Sequence, residues 1–131
     1  MVNQDKYEPK ATITHNIQVI VVSSFVDGQT SAFSDKNFLF SYRIDIKNLG
    51  NETMQLISRH WIIINSEGET EEIKGEGVIG YTPILKPGDS FNYSSYCPLD
   101  TSWGTMEGSF TFVNIYGTEF VVEVGRFYLI S

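Results

Sequence analysis

The amino-acid sequence predicts an all-β fold, a sandwich of about seven antiparallel strands in two packed sheets. Three observations carry this expectation. Apolar and polar residues alternate through most of the chain, turn residues punctuate the alternation at short intervals, and no stretch reads as an amphipathic helix long enough to cover a sheet. The 131 residues are enough for one domain that buries roughly two-thirds of its unfolded surface.

Residues 1–10 are polar and charged, which predicts a flexible segment ahead of a single domain at 11–131. Ile13, Ile17, Val19 and Val21 share one phase, with His15 in the same row, and predict a strand. The Gly, Gln, Ser and Asp of residues 27–36 predict a mobile loop. Phe38, Phe40, Tyr42, Ile44 and Ile46 then alternate with Ser41, Arg43, Asp45 and Lys47, the pattern of a half-buried strand.

Residues 56–64 are apolar in both phases and rich in β-branched side chains, as expected of a central strand covered on both faces. His60 and Trp61 are neighbours there and must point to opposite faces, so one of them enters the core. Strands follow at 69–75 and 90–97, and Met106, Gly108, Phe110 and Phe112 form another inward row. In the last strand, 118–130, Phe120, Val122 and Val124 share one phase while Phe127 and Leu129 share the other. A bulge at Gly125 reconciles the two. Turns are legible at Asn48-Leu49-Gly50-Asn51, Ser66-Glu67-Gly68, Lys86-Pro87-Gly88-Asp89 and Tyr116-Gly117. The expected core contains Phe40, Tyr42, Ile44, Leu56, Ile62, Phe110 and Val122.

Charge narrows the functional classes. Sixteen acidic against nine basic residues give a net charge of -7, which repels phosphate backbones and anionic lipid surfaces, so neither nucleic acid nor membrane is an expected partner. No apolar run reaches the roughly 20 residues that span a bilayer. The single cysteine, Cys97, excludes an intramolecular disulfide, and the polar first ten residues lack the apolar core of a signal peptide, so the cytoplasm is the expected compartment.

Catalysis finds no motif. There is no G-x-S-x-G elbow and no readable acid/base pair, and only two histidines are present to activate a nucleophile. Cys97 shares a strand face with Phe91 and Tyr93, which predicts an inert buried thiol. The expectation is a non-enzyme with no catalytic residues and no cofactor. Metal-ligand spacings such as C-x-x-C, H-x-H and H-E-x-x-H are also lacking, so no metal residues are expected. Glu67, Glu69, Glu71, Glu72 and Glu76 read as a solvated strand face, capable of weak oxygen contacts to Mg²⁺ or Co²⁺.

Gly75-Glu76-Gly77-Val78-Ile79-Gly80 fits the dinucleotide fingerprint G-x-G-x-x-G. A Rossmann unit needs a helix to begin at these glycines, and Pro83 and Pro87 forbid one. Two readings remain. The glycines serve bulges or close backbone approach between strands, or their amides form a nest for phosphate or another anion. The candidate ligand-binding residues are Gly75, Gly77 and Gly80 with the cations Arg59 and Lys74.

The string Ser58-Arg59-His60-Trp61-Ile62-Ile63-Ile64-Asn65, followed by this glycine motif, resembles the ApaG family. The likeness extends through residues 42–48, 82–88, 104–108 and 120–129. It implies an immunoglobulin-like sandwich similar to fibronectin type III domains, and a module that binds a protein partner, as expected from the larger eukaryotic F-box and polymerase-interacting proteins that contain similar domains. It also implies an indirect link to Co²⁺ and Mg²⁺ resistance, and offers phosphate, pyrophosphate or a nucleotide on the glycine motif as the alternative ligand. Tyr81 stands where the family commonly has an acidic residue, and Ser95-Tyr96 where it commonly has serine-glycine. Both changes place aromatic rings near the glycine connection.

Co²⁺ titration followed by visible absorption tests the metal expectation. Weak binding with the faint spectrum of an oxygen shell, displaced by Mg²⁺, is expected. Intense tetrahedral absorption saturating at one equivalent and lost in His60→Ala or Cys97→Ser would overturn it.

Overall fold

The structure, a computed structural model, describes residues 9–26 and 36–131. The expected flexible segment at 1–10 lies outside the described residues except for Pro9 and Lys10, and the expected mobile loop at 27–36 lies outside them except for Lys36. The described residues form nine strands and no helix. In chain order these are β1 (Lys10–Thr14), β2 (Ile17–Phe25), β3 (Phe38–Asn48), β4 (Met54–Asn65), β5 (Thr70–Glu76), β6 (Ile84–Leu85), β7 (Ser90–Leu99), β8 (Trp103–Val113) and β9 (Glu119–Ile130). One sheet has the order β1-β2-β3-β7 and the other β5-β4-β8-β9, with β6 beside the start of β4. Every pairing is antiparallel.

The count exceeds seven for two local reasons. The row from Ile13 to Val21 is a hairpin and not one strand, because His15 and Asn16 turn the chain with φ of 50° and 63°. Two consecutive residues in the left-handed region suit a tight two-residue hairpin turn. Ile13 therefore pairs with Gln18 on the outer face and is exposed, whereas Ile17, Val19 and Val21 are buried. The second addition is β6, two residues that pair with Met54 and Gln55.

The core fills the space between the sheets. At its centre the Trp61 ring meets Tyr42, Phe110 and Phe127 edge-on, with centroids 5.8, 5.7 and 6.2 Å away. Such edge-to-face aromatic contacts add to the area they bury. Phe40, Ile44, Leu56 and Val122 are fully enclosed around this cluster.

Ile62 is not in the core. Pairing of β4 with β8 slips between Leu56 and Ser58, which leaves Ile57 as an extra residue. A bulge of one residue exchanges the faces of a strand. Met54 and Leu56 point inward before it, and Trp61 and Ile63 after it, so Ile62 and Ile64 lie half-buried on the outer face. β4 is central within its sheet, but among the described residues a second layer covers one of its sides alone. The expected bulge in β9 is present: Gly125 and Arg126 both oppose Glu107, between the pairs Gly108–Val124 and Met106–Phe127.

The two long sides of the sandwich differ. Along one, β1 and β2 pack on β9. Thr12 Oγ1 donates to the Glu123 carbonyl at 2.9 Å, the Glu123 amide donates to Thr14 Oγ1 at 3.2 Å, and Ser23 Oγ donates to the Tyr128 carbonyl at 2.6 Å. Along the other side, β7 faces β5 across a seam spanned by the Lys36–Glu71 ion pair at 2.8 Å. Buried Asn48 holds one strand end, with Nδ2 donating to the carbonyls of Glu52 and Leu85 and Oδ1 accepting from the Gly50 amide.

Ile44→Ala should lower unfolding free energy by about 2–5 kcal/mol, because a cavity adds to the lost transfer energy. Ile62→Ala should cost clearly less. Denaturant midpoints compare the two directly, and equal losses would contradict the inward phase assigned to β4.

Candidate functional site

The β4 bulge also sets the place of Arg59. After the slip, Arg59 belongs to the same inward row as Trp61 and Ile63, directly opposite Gly75 on β5. Its guanidinium lies on the bare face of Gly75, where an added Cβ would come within 2.7 Å of Arg59 Cζ and Nη2. Nη1 donates to the carbonyls of Glu76 at 3.0 Å and Gly77 at 2.9 Å. Gly75 lacks a side chain because an arginine occupies that space.

Gly77 has φ of 62°, and a Cβ there would run into the Tyr81 carbonyl oxygen. Its amide donates to the Ile57 carbonyl at 2.9 Å, which ties the connector to the bulge. Val78 and Tyr81 exchange two backbone hydrogen bonds of 2.8 Å around a tight turn at Ile79 and Gly80, with φ of 43° and 84°. Positive φ at both central residues matches a type I′ turn, and at Ile79 it strains a β-branched residue. The amides of Gly77, Val78 and Tyr81 thus donate within the backbone, while two connector carbonyls face a cation.

The sequence candidates are partly brought together. Arg59, Gly75 and Gly77 form one packed unit, and Gly80 sits at the tip of the turn with open space around it. Lys74 pairs with His60 on the outward face, where its Nζ lies 3.4 Å from Glu72. His60 Nε2 meets Glu72 Oε1 at 2.8 Å. That contact first, and Lys74 second, hold the Glu72 carboxyl below its usual range.

His15 packs on Phe120, His60 lies on the outer face of β4, and Cys97 lies in the core, so these three stand apart. Among the described residues no group of three or more His, Cys, Asp or Glu could hold a metal ion. Burial pushes the Cys97 thiol up to about 12. Burial likewise raises Tyr42 and Tyr93.

The open seam holds a cavity of about 390 Å³ that motif reading did not find. Tyr42, Trp61, Ile63 and Met106 form its apolar floor, and Arg59 and Ile73 line it nearer the surface. Trp61 is 2% exposed, yet its indole Nε1 has no hydrogen-bond partner among the described residues. Tyr96 also lines this cavity, whereas Tyr81 packs on Phe91 at 6.1 Å by the glycine connector.

Among the described residues, nine antiparallel strands in two packed sheets, with a glycine connector clamped by an inward-row arginine, define a small β-sandwich domain. The model of the ApaG domain matches residues 28–114, and the chain belongs to the ApaG family. It is 43% identical to Protein ApaG of Methylobacterium radiotolerans over 118 residues, covering 90% of each chain. With Protein ApaG of Shewanella pealeana it shares 43% identity, covering 87% of this chain and 90% of the relative. The crystal structure of a Bordetella pertussis protein carrying the name ApaA superposes with a TM-score of 0.80 at 38% identity, covering 87% of this chain and 92% of that one. These family names indicate no enzyme class.

Gly75→Ala should destabilise by about 1–3 kcal/mol through overpacking against Arg59, and should cost much less in an Arg59→Ala background. Additive losses would show that the two residues are not in contact. Cys97 gives a pH prediction. Its folded pKa is raised, so its contribution is complete below the ordinary value of 9.0 and is lost as pH climbs toward about 12. Denaturant midpoints should fall over that window, less steeply in Cys97→Ala, and identical slopes would contradict burial of the thiol.

Proposed function

We propose that this ApaG domain is a non-catalytic, cytoplasmic binding module that recognises a protein partner through one loop end of the sandwich. One observation carries the reading: Tyr81, Ile84, Ile115 and Tyr116 are 61%, 60%, 75% and 81% exposed at the same end. Ile84 pairs with Gln55, which also pairs with Val113, and Ile115 and Tyr116 follow in the turn between β8 and β9. Ile84 and Ile115 line one shallow depression. Large apolar side chains exposed together, with two tyrosines among them, suit a protein contact.

Rigidity supports the same reading. Asn114 Oδ1 accepts from the amides of Tyr116 and Thr118, and Gln55 Nε2 donates to the Thr82 carbonyl, so both loops are held before any partner arrives. Preorganised contacts lose less entropy on binding. Any connection to Co²⁺ or Mg²⁺ resistance then runs through the partner and not through bound metal. Phosphate or pyrophosphate on residues 75–80 is the weaker reading, because the amides of Gly77 and Val78, and that of Tyr81 just beyond, already donate to backbone carbonyls.

The test compares the protein with an Ile84→Ser, Ile115→Ser, Tyr116→Ser triple variant as bait in affinity capture. A partner retained by the parent should be lost by the variant while the thermal midpoint changes little. Identical captures from both would remove the loop end from consideration. Calorimetric binding of pyrophosphate abolished by Arg59→Lys would favour the anion reading instead.

A further inference from the structure

We propose that the margin of β7, together with the seam cavity beside it, is a site where an extended segment of a partner protein adds as a further strand to the sheet β1-β2-β3-β7. The inward row of that segment carries aliphatic side chains and a carboxylate. The surface is separate from the loop end and stands independently of the partner proposed there.

Two hydrogen bonds show which backbone groups of β7 face outward. The Val26 amide donates to the Leu39 carbonyl at 2.9 Å, so the odd-numbered residues of β3 turn their backbone groups toward β2. The Asn48 amide donates to the Asp89 carbonyl at 3.0 Å, so the even-numbered ones turn toward β7. Arg43 and Asp45 stand opposite Ser94 and Asn92. The amides and carbonyls of Asn92 and Ser94 therefore point away from β3, and among the described residues they have no hydrogen-bond partner. Pro98, in the same phase, has no amide to offer and ends the ladder.

Outermost strands usually carry charge, a bulge or a covering element that turns other chains away. β5 has Glu71, Glu72 and Glu76, and β1 and β9 pack on each other. β7 lacks these devices among the described residues: Ser90–Leu99 contains no charged side chain, and its register with β3 runs without a slip.

The seam supplies the specificity. A strand laid beside β7 extends its sheet over β5, and its inward side chains meet the cavity of about 390 Å³ lined by both strands. Tyr42, Ile63, Ile73 and Met106 give that cavity an apolar lining, which selects aliphatic side chains. Lys36 and Glu71 pair with each other at 2.8 Å, so Arg59 leaves the wall with one net positive charge, which selects a carboxylate. Main-chain bonds to an open edge then give affinity, and pockets for alternate side chains give selectivity. A second copy of this chain is a poor occupant, because its β7 brings no carboxylate for Arg59 and each copy carries a net charge of -7.

The probe is an acetylated and amidated peptide, Thr-Val-Thr-Glu-Thr-Val-Thr, whose threonines share one face while valine and glutamate share the other. In a ¹H–¹⁵N spectrum it should shift the Asn92 and Ser94 amide signals saturably and slow their exchange with solvent, leaving Glu123 on β9 in place. Lysine in place of the glutamate should weaken binding about tenfold. Proline in place of the two threonines beside the glutamate removes ladder amides and should abolish the response. Ser94→Pro removes one outward amide and no bond to β3, so it should abolish binding with little change in thermal midpoint. The proline peptide makes the same test on the unaltered protein. The proposal is overturned if the Asn92 and Ser94 signals stay fixed at millimolar peptide, if the lysine or proline peptide binds as tightly as the parent, if folded Ser94→Pro binds unchanged, or if those signals move with protein concentration alone, which would make a second copy the occupant.

Discussion

Ile57, the extra residue in β4, is the constraint from which the rest of the molecule follows. A strand that alternates strictly from Met54 would send Trp61 to the outer face and leave the centre of the sandwich without its largest ring. The slip returns Trp61 to the interior, where it closes against Tyr42 from one sheet and Phe110 and Phe127 from the other. It brings Arg59 inward as well, next to the seam. A charged group in that row needs acceptors, and the carbonyls of Glu76 and Gly77 supply them. The glycine connector is shaped around this requirement, with Gly75 bare beneath the guanidinium and the Gly77 amide bonded to Ile57 itself.

The sandwich is unequal from side to side. Where β1 and β2 meet β9, hydroxyls bond directly to the backbone of the opposing strand. Where β7 meets β5, the described residues leave a cavity bridged by the exposed Lys36–Glu71 ion pair, an interaction worth little in water. Stability therefore rests on the closed side and the aromatic centre.

Legibility in the sequence followed from whether a change of phase left a visible mark. The β9 bulge was readable because apolar residues change parity across a glycine, from Val122 and Val124 to Phe127 and Leu129. The β4 bulge is not, since Ser58 to His60 are polar in both phases and Trp61 to Ile64 apolar in both, so a slip there changes no pattern and alternation alone sends Ile62 inside. The β1–β2 turn was hidden for a related reason, because His15-Asn16 carries no glycine or proline and the row continues across it. At the connector, the glycines announced a backbone demand, but its cause is a side chain on another strand. The seam cavity depends on which strands face each other across two sheets, and no local spacing encodes that.

The three hydroxyl contacts along β9 bear on whether another chain can add itself at the margins of the sheet. An outermost strand normally offers free amides and carbonyls to any passing chain, and so invites polymerisation. At Glu123 both outward-facing backbone groups are already occupied, by Thr12 and Thr14, and at Tyr128 the carbonyl is taken by Ser23. An incoming chain would have to displace side chains of the same molecule before forming a ladder. At the margin of the same sheet made by β5, Glu71, Glu72 and Glu76 meet the newcomer with negative charge. One margin is sealed by hydrogen bonding and the other guarded by repulsion, so growth by strand addition is resisted at both ends of the sheet that carries the arginine and the glycine connector.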